Sequence, residues 1–140
     1  MRAFTRAAQS YGSVQIMTGV ASADSVQLIQ MLFDGLSESL ATARGHIENQ
    51  NIADKSKALA RAGRIIVGLQ GSLDFERGGE LAHNLNDLYA YLTRRVLHVN
   101  AYNDLEALAE VSSLVRDVAS AWQQLPNLLA SAPQTPRYAN

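Results

Sequence analysis

Cysteine is missing from all 140 residues. That excludes a disulfide framework and a thiolate metal site, and it fits a reducing compartment. Long apolar runs are missing too: no stretch approaches the roughly 18 uninterrupted residues that a membrane-spanning helix needs. An excess of one charge is also absent. Twelve Lys and Arg face thirteen Asp and Glu, for a net charge of −1, so there is no electrostatic footprint for nucleic acid. The first ten residues, Met1 to Ser10, hold no continuous apolar segment, so no signal peptide is expected. The alternation that marks a half-buried strand is found nowhere. These absences leave a soluble, cytoplasmic, single-domain helical protein, long enough for a core without staples.

What is present is helical periodicity. Ile29, Phe33, Leu36, Leu40, Ala43 and Ile47 recur at alternating spacings of 4 and 3, a seam of nearly three heptads, with Leu28, Leu32 and Gly35 as a second strip beside it. Ser22 or Asp24 is the expected cap of this first helix, and Asn49-Gln50-Asn51 its end. A second helix opens near Ile52 and carries Leu59, Ala62, Ile66, Leu69 and Leu73, widened by Ile65. Gly63, Gly68 and Gly71 lie inside it, each costing about 0.5–1 kcal/mol against alanine. Close helix–helix packing is the expected reason for keeping them.

The third helix organises the chain. Gly78-Gly79 is expected to open it, and Leu81, Leu85, Leu88, Leu92 and Val96 to form its apolar stripe. Tyr89 and Tyr91 point about 200° apart on a helix, so at least one looks away from the main core. Asn103-Asp104 closes the next turn and caps a fourth helix, from about Asp104 to Leu125, with Leu105, Leu108, Val111, Val115, Val118, Trp122 and Leu125 on one face. The reading predicts an all-α, antiparallel four-helix bundle over residues 22–125, an N-terminal arm over 1–21 and a flexible tail over 126–140, beyond Pro126. Phe4, Tyr11, Ile16 and Met17 give the arm apolar side chains that need a surface, so it is a candidate cap for a groove.

Catalytic chemistry finds no support in the sequence. A di-iron bundle needs two Glu-x-x-His motifs, and Glu80 to His83 supplies one. A phosphotransfer bundle needs an exposed histidine beside a basic residue and a glycine. His46 and His83 are followed by acidic or amide residues, and His98, with Arg94 and Arg95 one turn earlier, lacks the following Lys-Gly. No phosphate loop, dinucleotide glycine motif or Ser-His-Asp order is present. No enzyme activity, catalytic residue, metal or cofactor is expected.

Several segments carry a family resemblance. They are Gln27 to Leu36, Arg64 to Leu69 with Ser72-Leu73-Asp74, Gly78 to Ala82, Asn84-Leu85, Leu88 to Tyr91, Asn100 to Asp104, and Ala121-Trp122, with Tyr11 where an N-terminal tyrosine belongs. In this order, across residues 10 to 123, the chain resembles the flagellar secretion chaperone family FliS, the export chaperone of flagellin. It departs where the family usually has Ser-Pro before the first helix, since Ala23-Asp24 follows Ser22 here. The resemblance implies a bundle that binds the disordered C-terminal segment of flagellin, prevents polymerisation in the cytoplasm and delivers the subunit to the export gate. It extends to an export-gate component and flagellar regulators as further partners, and leaves room for a homodimer. It also implies that Tyr11 competes for the empty groove. Geometry adds Leu28, Leu32, Ile65, Tyr89 and Tyr91 as candidate flagellin-binding residues lying off the main seams. The alternatives are a self-associating helical adaptor and a histidine phosphotransfer bundle.

Overall fold

A computed structural model describes residues 23–124. The described residues form four helices and no strand: α1 (Ala23–Glu48), α2 (Ile52–Gly71), α3 (Phe75–Tyr102) and α4 (Leu105–Gln123). The expected arm and tail, with Tyr11, Ser22 and Leu125, lie outside these residues. Each helix packs closely on two neighbours, α1 on α2 and α4, α3 on α2 and α4, and the backbones of the diagonal pairs lie farther apart. Side-chain ties between helices establish the antiparallel sense. Lys55 near the start of α2 reaches Asn100 and Asn103 at the end of α3, and Trp122 near the end of α4 donates its Nε1–H to the Val26 carbonyl near the start of α1, 3.2 Å away. The result is the antiparallel four-helix bundle that the periodicity predicts. No described helix is long and apolar enough to cross a membrane.

The seams of α1, α2 and α4 pack as the spacing requires. Phe33, Leu36, Leu40, Leu59, Ile66, Leu69, Leu108, Val111 and Val115 are buried, and Ile47, Leu73, Leu105, Val118 and Trp122 close the ends of the core. Three short connections join the helices. After α1, the Asn51 N–H donates to the His46 carbonyl at 2.8 Å and the Gln50 N–H to the Ile47 carbonyl at 3.1 Å, with Gln50 in the left-handed region at φ 60°. This double bond pattern closes a helix end and normally selects glycine at the left-handed position. After α3, Asn103 takes the left-handed role at φ 53°, and the Asp104 carboxylate accepts the Ala107 N–H at 3.1 Å, as Asn103-Asp104 predicts.

Four expectations need correction. Asp24 lies within α1 and so is not its cap. Helix α3 opens before Gly78-Gly79, at Phe75, because Asp74 is a stronger start: its carboxylate accepts the Glu76 and Arg77 N–H groups at 3.0 and 3.1 Å. Gly79 then interrupts the helix at φ 55°, ψ −131°, a conformation that glycine reaches without a Cβ penalty, so the long stretch of α3 does start after the glycine pair, with one extra turn before it. The leucine stripe of α3 holds at Leu85, Leu88, Leu92 and Val96 and fails at its first member. Leu81 is 66% exposed, and the core line runs through Ala82, Leu85, Tyr89, Leu92, Val96 and Val99, alternating by 3 and 4. The two lines share Leu85, Leu92 and Val96, and the core face is centred toward the Ala82–Tyr89 side of that shared strip, which leaves Leu81 outside and Leu88 at its edge. Finally, a Cβ on Gly63 would meet nothing within 4 Å, so close packing does not account for that glycine.

Candidate binding grooves

Two seams of the bundle place polar and aromatic side chains at the surface. The first lies between α1 and α2. Leu28, Leu32, Gly35 and Ser39 line the side of α1 turned toward α2, at the 4, 3, 4 spacing that keeps side chains on one helical face. A Cβ on Gly35 would stand 3.4 Å from Ile65 Cδ1 and 3.2 Å from Arg61 Nη2, so this glycine lets the α2 side chains lie against α1. Arg61 Nη1 donates to Ser39 Oγ at 2.8 Å and, at 3.4 Å, to the Gly35 carbonyl and a Glu38 carboxylate oxygen. Ser39 Oγ itself donates to the Gly35 carbonyl at 2.9 Å. Leu28 and Leu32 are half-buried and Ile65 is buried. Met31 stands at the rim, 62% exposed. The seam is a shallow apolar groove with an arginine pinned across it.

The opposite seam, between α3 and α4, is polar. The Tyr91 hydroxyl donates to one Glu110 oxygen at 2.6 Å, and Arg95 Nε donates to the other at 3.0 Å. The Arg94 guanidinium lies 5.9 Å from the centre of the Tyr91 ring, within reach of a cation–π attraction. The Tyr91 hydrogen bond, followed by Arg95, holds the Glu110 carboxyl below its ordinary range, and the same bond raises the Tyr91 phenol. One turn before the end of α3, His98 Nε2 is 3.0 Å from Asp104 Oδ2, with the His98 ring 4.9 Å from that of Tyr102. The Ala107 N–H first and His98 second keep the Asp104 carboxyl low. No group of three metal-ligating side chains occurs among the described residues, and Glu80 and His83 are both exposed.

The six residues singled out from the sequence therefore separate. Leu28 and Leu32 lie on the α1 face that carries Gly35, and Ile65 reaches that face at Gly35, so the three belong to the α1–α2 seam. Tyr91 belongs to the opposite seam. Tyr89, 4% exposed, is part of the core, where burial raises its phenol far above the ordinary value. Tyr11 lies outside the described residues. Two contributors to the groove escaped the sequence reading, Met31 and Arg61. The spacing from Leu28 to Met31, Leu32 and Gly35 is that of one helical face and would have found the first. No pattern within α2 signals that Arg61 crosses to α1.

Comparison with known proteins places the chain. The family described as flagellar protein FliS matches residues 7–128. The flagellar secretion chaperone FliS of Salmonella typhimurium is 43% identical over 118 residues, which cover 84% of this chain and 87% of the relative. The flagellar secretion chaperone FliSB of Pseudomonas aeruginosa is 44% identical over 117 residues, covering 84% and 93%. A more distant relative, the flagellar secretion chaperone FliS of Bacillus subtilis, is 35% identical over 98 residues, covering 70% and 72%. With its helices, turns and caps falling inside the matched region, this chain belongs to the FliS family of flagellar secretion chaperones.

Proposed function

We propose that the protein is a cytoplasmic export chaperone whose client is the C-terminal segment of flagellin. In this reading it keeps the subunit from polymerising before export and delivers it to the export gate. The observation that carries the proposal is the strip of partly exposed apolar side chains, Leu28, Met31 and Leu32, on the face of α1 that meets Ile65 of α2, on a bundle of this family. A segment destined for a helical assembly exposes an apolar stripe while unassembled. A groove between two helices offers that stripe the burial it lacks, and the client folds as it binds. The residues 1–21, with Tyr11, form an arm that competes for the empty groove, and 126–140 a tail outside the binding domain. An export-gate component and flagellar regulators are further partners.

Binding needs no chemistry. Its driving force is burial of apolar surface, opposed by the cost of ordering the client. The phosphotransfer alternative is disfavoured by His98, whose Nε2 is engaged with Asp104. The test is calorimetry with a peptide of the C-terminal helical segment of flagellin from the same source. The expected result is one-to-one binding with a large negative heat-capacity change. Tyr11→Ala is expected to bind more tightly if the arm is a competitor. Absence of binding by both proteins, alongside concentration-dependent self-association, would replace this reading with that of a self-associating adaptor.

A further inference from the structure

The rims of the α1–α2 groove carry opposite charge. On α2, Lys57, Arg61 and Arg64 are all exposed, and their spacings of 4 and 3 set them on one ridge beside the groove. Among the described residues, the one acid that touches this ridge is Glu38, 3.4 Å from Arg61 and itself 72% exposed at the side chain. Lys57 and Arg64 make no ion pair with any of the described residues. On α1 the facing rim carries Glu38, about two turns along the same helical face from Met31. Between the rims the floor is uncharged. The Arg61 guanidinium is held in place through Nη1 by Ser39 at 2.8 Å, while its Nη2 lies over Gly35 without a hydrogen-bond partner among the described residues.

We propose that this basic ridge on α2 reads acidic side chains on the flank of an amphipathic helix lying in the groove, and so decides which way round the helix is seated. The proposal rests on the groove being the client's site, and it adds the client's chemistry. An occupant presents its apolar stripe to Leu28, Leu32 and Ile65, and a row of Asp or Glu at 3- and 4-residue spacing to α2. Arg61 is residue 10 of the 20 in α2, so an occupant running along the groove passes the guanidinium with a side chain and does not end on it. Glu38 is the internal carboxylate that the client's acid displaces. Turned end for end, the same helix would set its acids beside Glu38 and leave the α2 cations facing its other flank, a like-charge arrangement that selects against the wrong seating.

The test measures binding of the flagellin C-terminal peptide as a function of salt. Lys57→Glu/Arg61→Glu/Arg64→Glu is compared with Arg116→Glu, an exposed arginine on α4, and with wild type. The expected result is a loss of about tenfold or more at low salt for the triple variant, mostly in the association rate, and a flattened salt dependence. Arg116→Glu should behave as wild type. A peptide with its acidic residues changed to lysine should bind the triple variant better than it binds wild type. Equal affinity and equal salt dependence for the triple variant and wild type would overturn the proposal. Two further variants separate this failure from failure of the groove reading itself: Leu32→Asp, with a melting curve to establish that it folds, and Met31→Gln, whose exposure makes it safe for folding. If these weaken binding while the charge reversal does nothing, the groove holds the client and the ridge does not read it. If neither weakens binding, the client lies elsewhere and both readings fall.

Discussion

The two seams on opposite sides of the bundle are built from different interactions. Between α1 and α2, a glycine and a serine on one helix admit an isoleucine and an arginine from the other, above a continuous apolar floor. Between α3 and α4, the surface ties are ionisable: Tyr91 and Arg95 on Glu110, and His98 on Asp104. Apolar burial is nearly independent of pH and varies only weakly with moderate salt, whereas exposed ion pairs contribute little and depend on both. The α1–α2 side is therefore a fixed surface suited to holding a partner. The α3–α4 side is held by contacts that solution conditions can weaken.

The largest expected effect probes the apolar floor. Leu36→Ala removes a fully buried side chain from α1 and should cost about 2–5 kcal/mol in denaturant unfolding. Tyr91→Phe, on the other seam, should leave the midpoint nearly unchanged, and an equal loss from both would erase the contrast.

Next is Lys55, the buried cation that ties α2 to the α3–α4 connection. Its Nζ donates to the Asn100 carbonyl at 2.9 Å and to Asn103 Oδ1 at 2.6 Å, and the residue is 4% exposed. Lys55→Ala strips both acceptors of a donor and should cost about 1–3 kcal/mol. Faster amide exchange around Asn103 would accompany the loss.

A smaller effect, of opposite sign, sharpens the picture of close approach. Gly63→Ala meets open space and should stabilise the protein by about 0.5–1 kcal/mol. Gly35→Ala should gain less, because the new methyl displaces Arg61. Equal gains at the two sites would mean that the α1–α2 contact is looser than described.

The smallest effect is on acid unfolding. Asp104 and Glu110 have lowered pKa values in the folded chain, so the folded state binds fewer protons than the unfolded one below neutrality. Their contribution is fully present above the ordinary carboxylate range and is lost as pH falls through the folded values. Glu110→Gln should therefore flatten the acid limb of the stability curve and leave the ratio of stabilities near pH 7 to 8 unchanged. A change confined to alkaline pH would contradict the assignment.

The fold was largely legible because heptad spacing in α1, α2 and α4 coincides with their most hydrophobic residues. In α3 the two diverge. Reading by hydrophobicity selects Leu81, but the bundle keeps Ala82 and Tyr89 inside, while Leu85, Leu92 and Val96 belong to both readings and Leu88 packs at the core's edge. Of the site, Leu28, Leu32 and Ile65 were visible as apolar positions beside the seams. The pairing of Arg61 with Ser39 was not visible, because a contact between residues 22 apart leaves no local pattern.

The central claim, that the α1–α2 face receives the client, is tested most directly by amide hydrogen exchange on the full chain with and without the flagellin C-terminal peptide. The account predicts added protection along α1 from about Leu28 to Ser39 and along α2 from about Lys57 to Ile65, with α3 and α4 little changed. Protection concentrated in α3 and α4 around Tyr91 and Glu110 would contradict it.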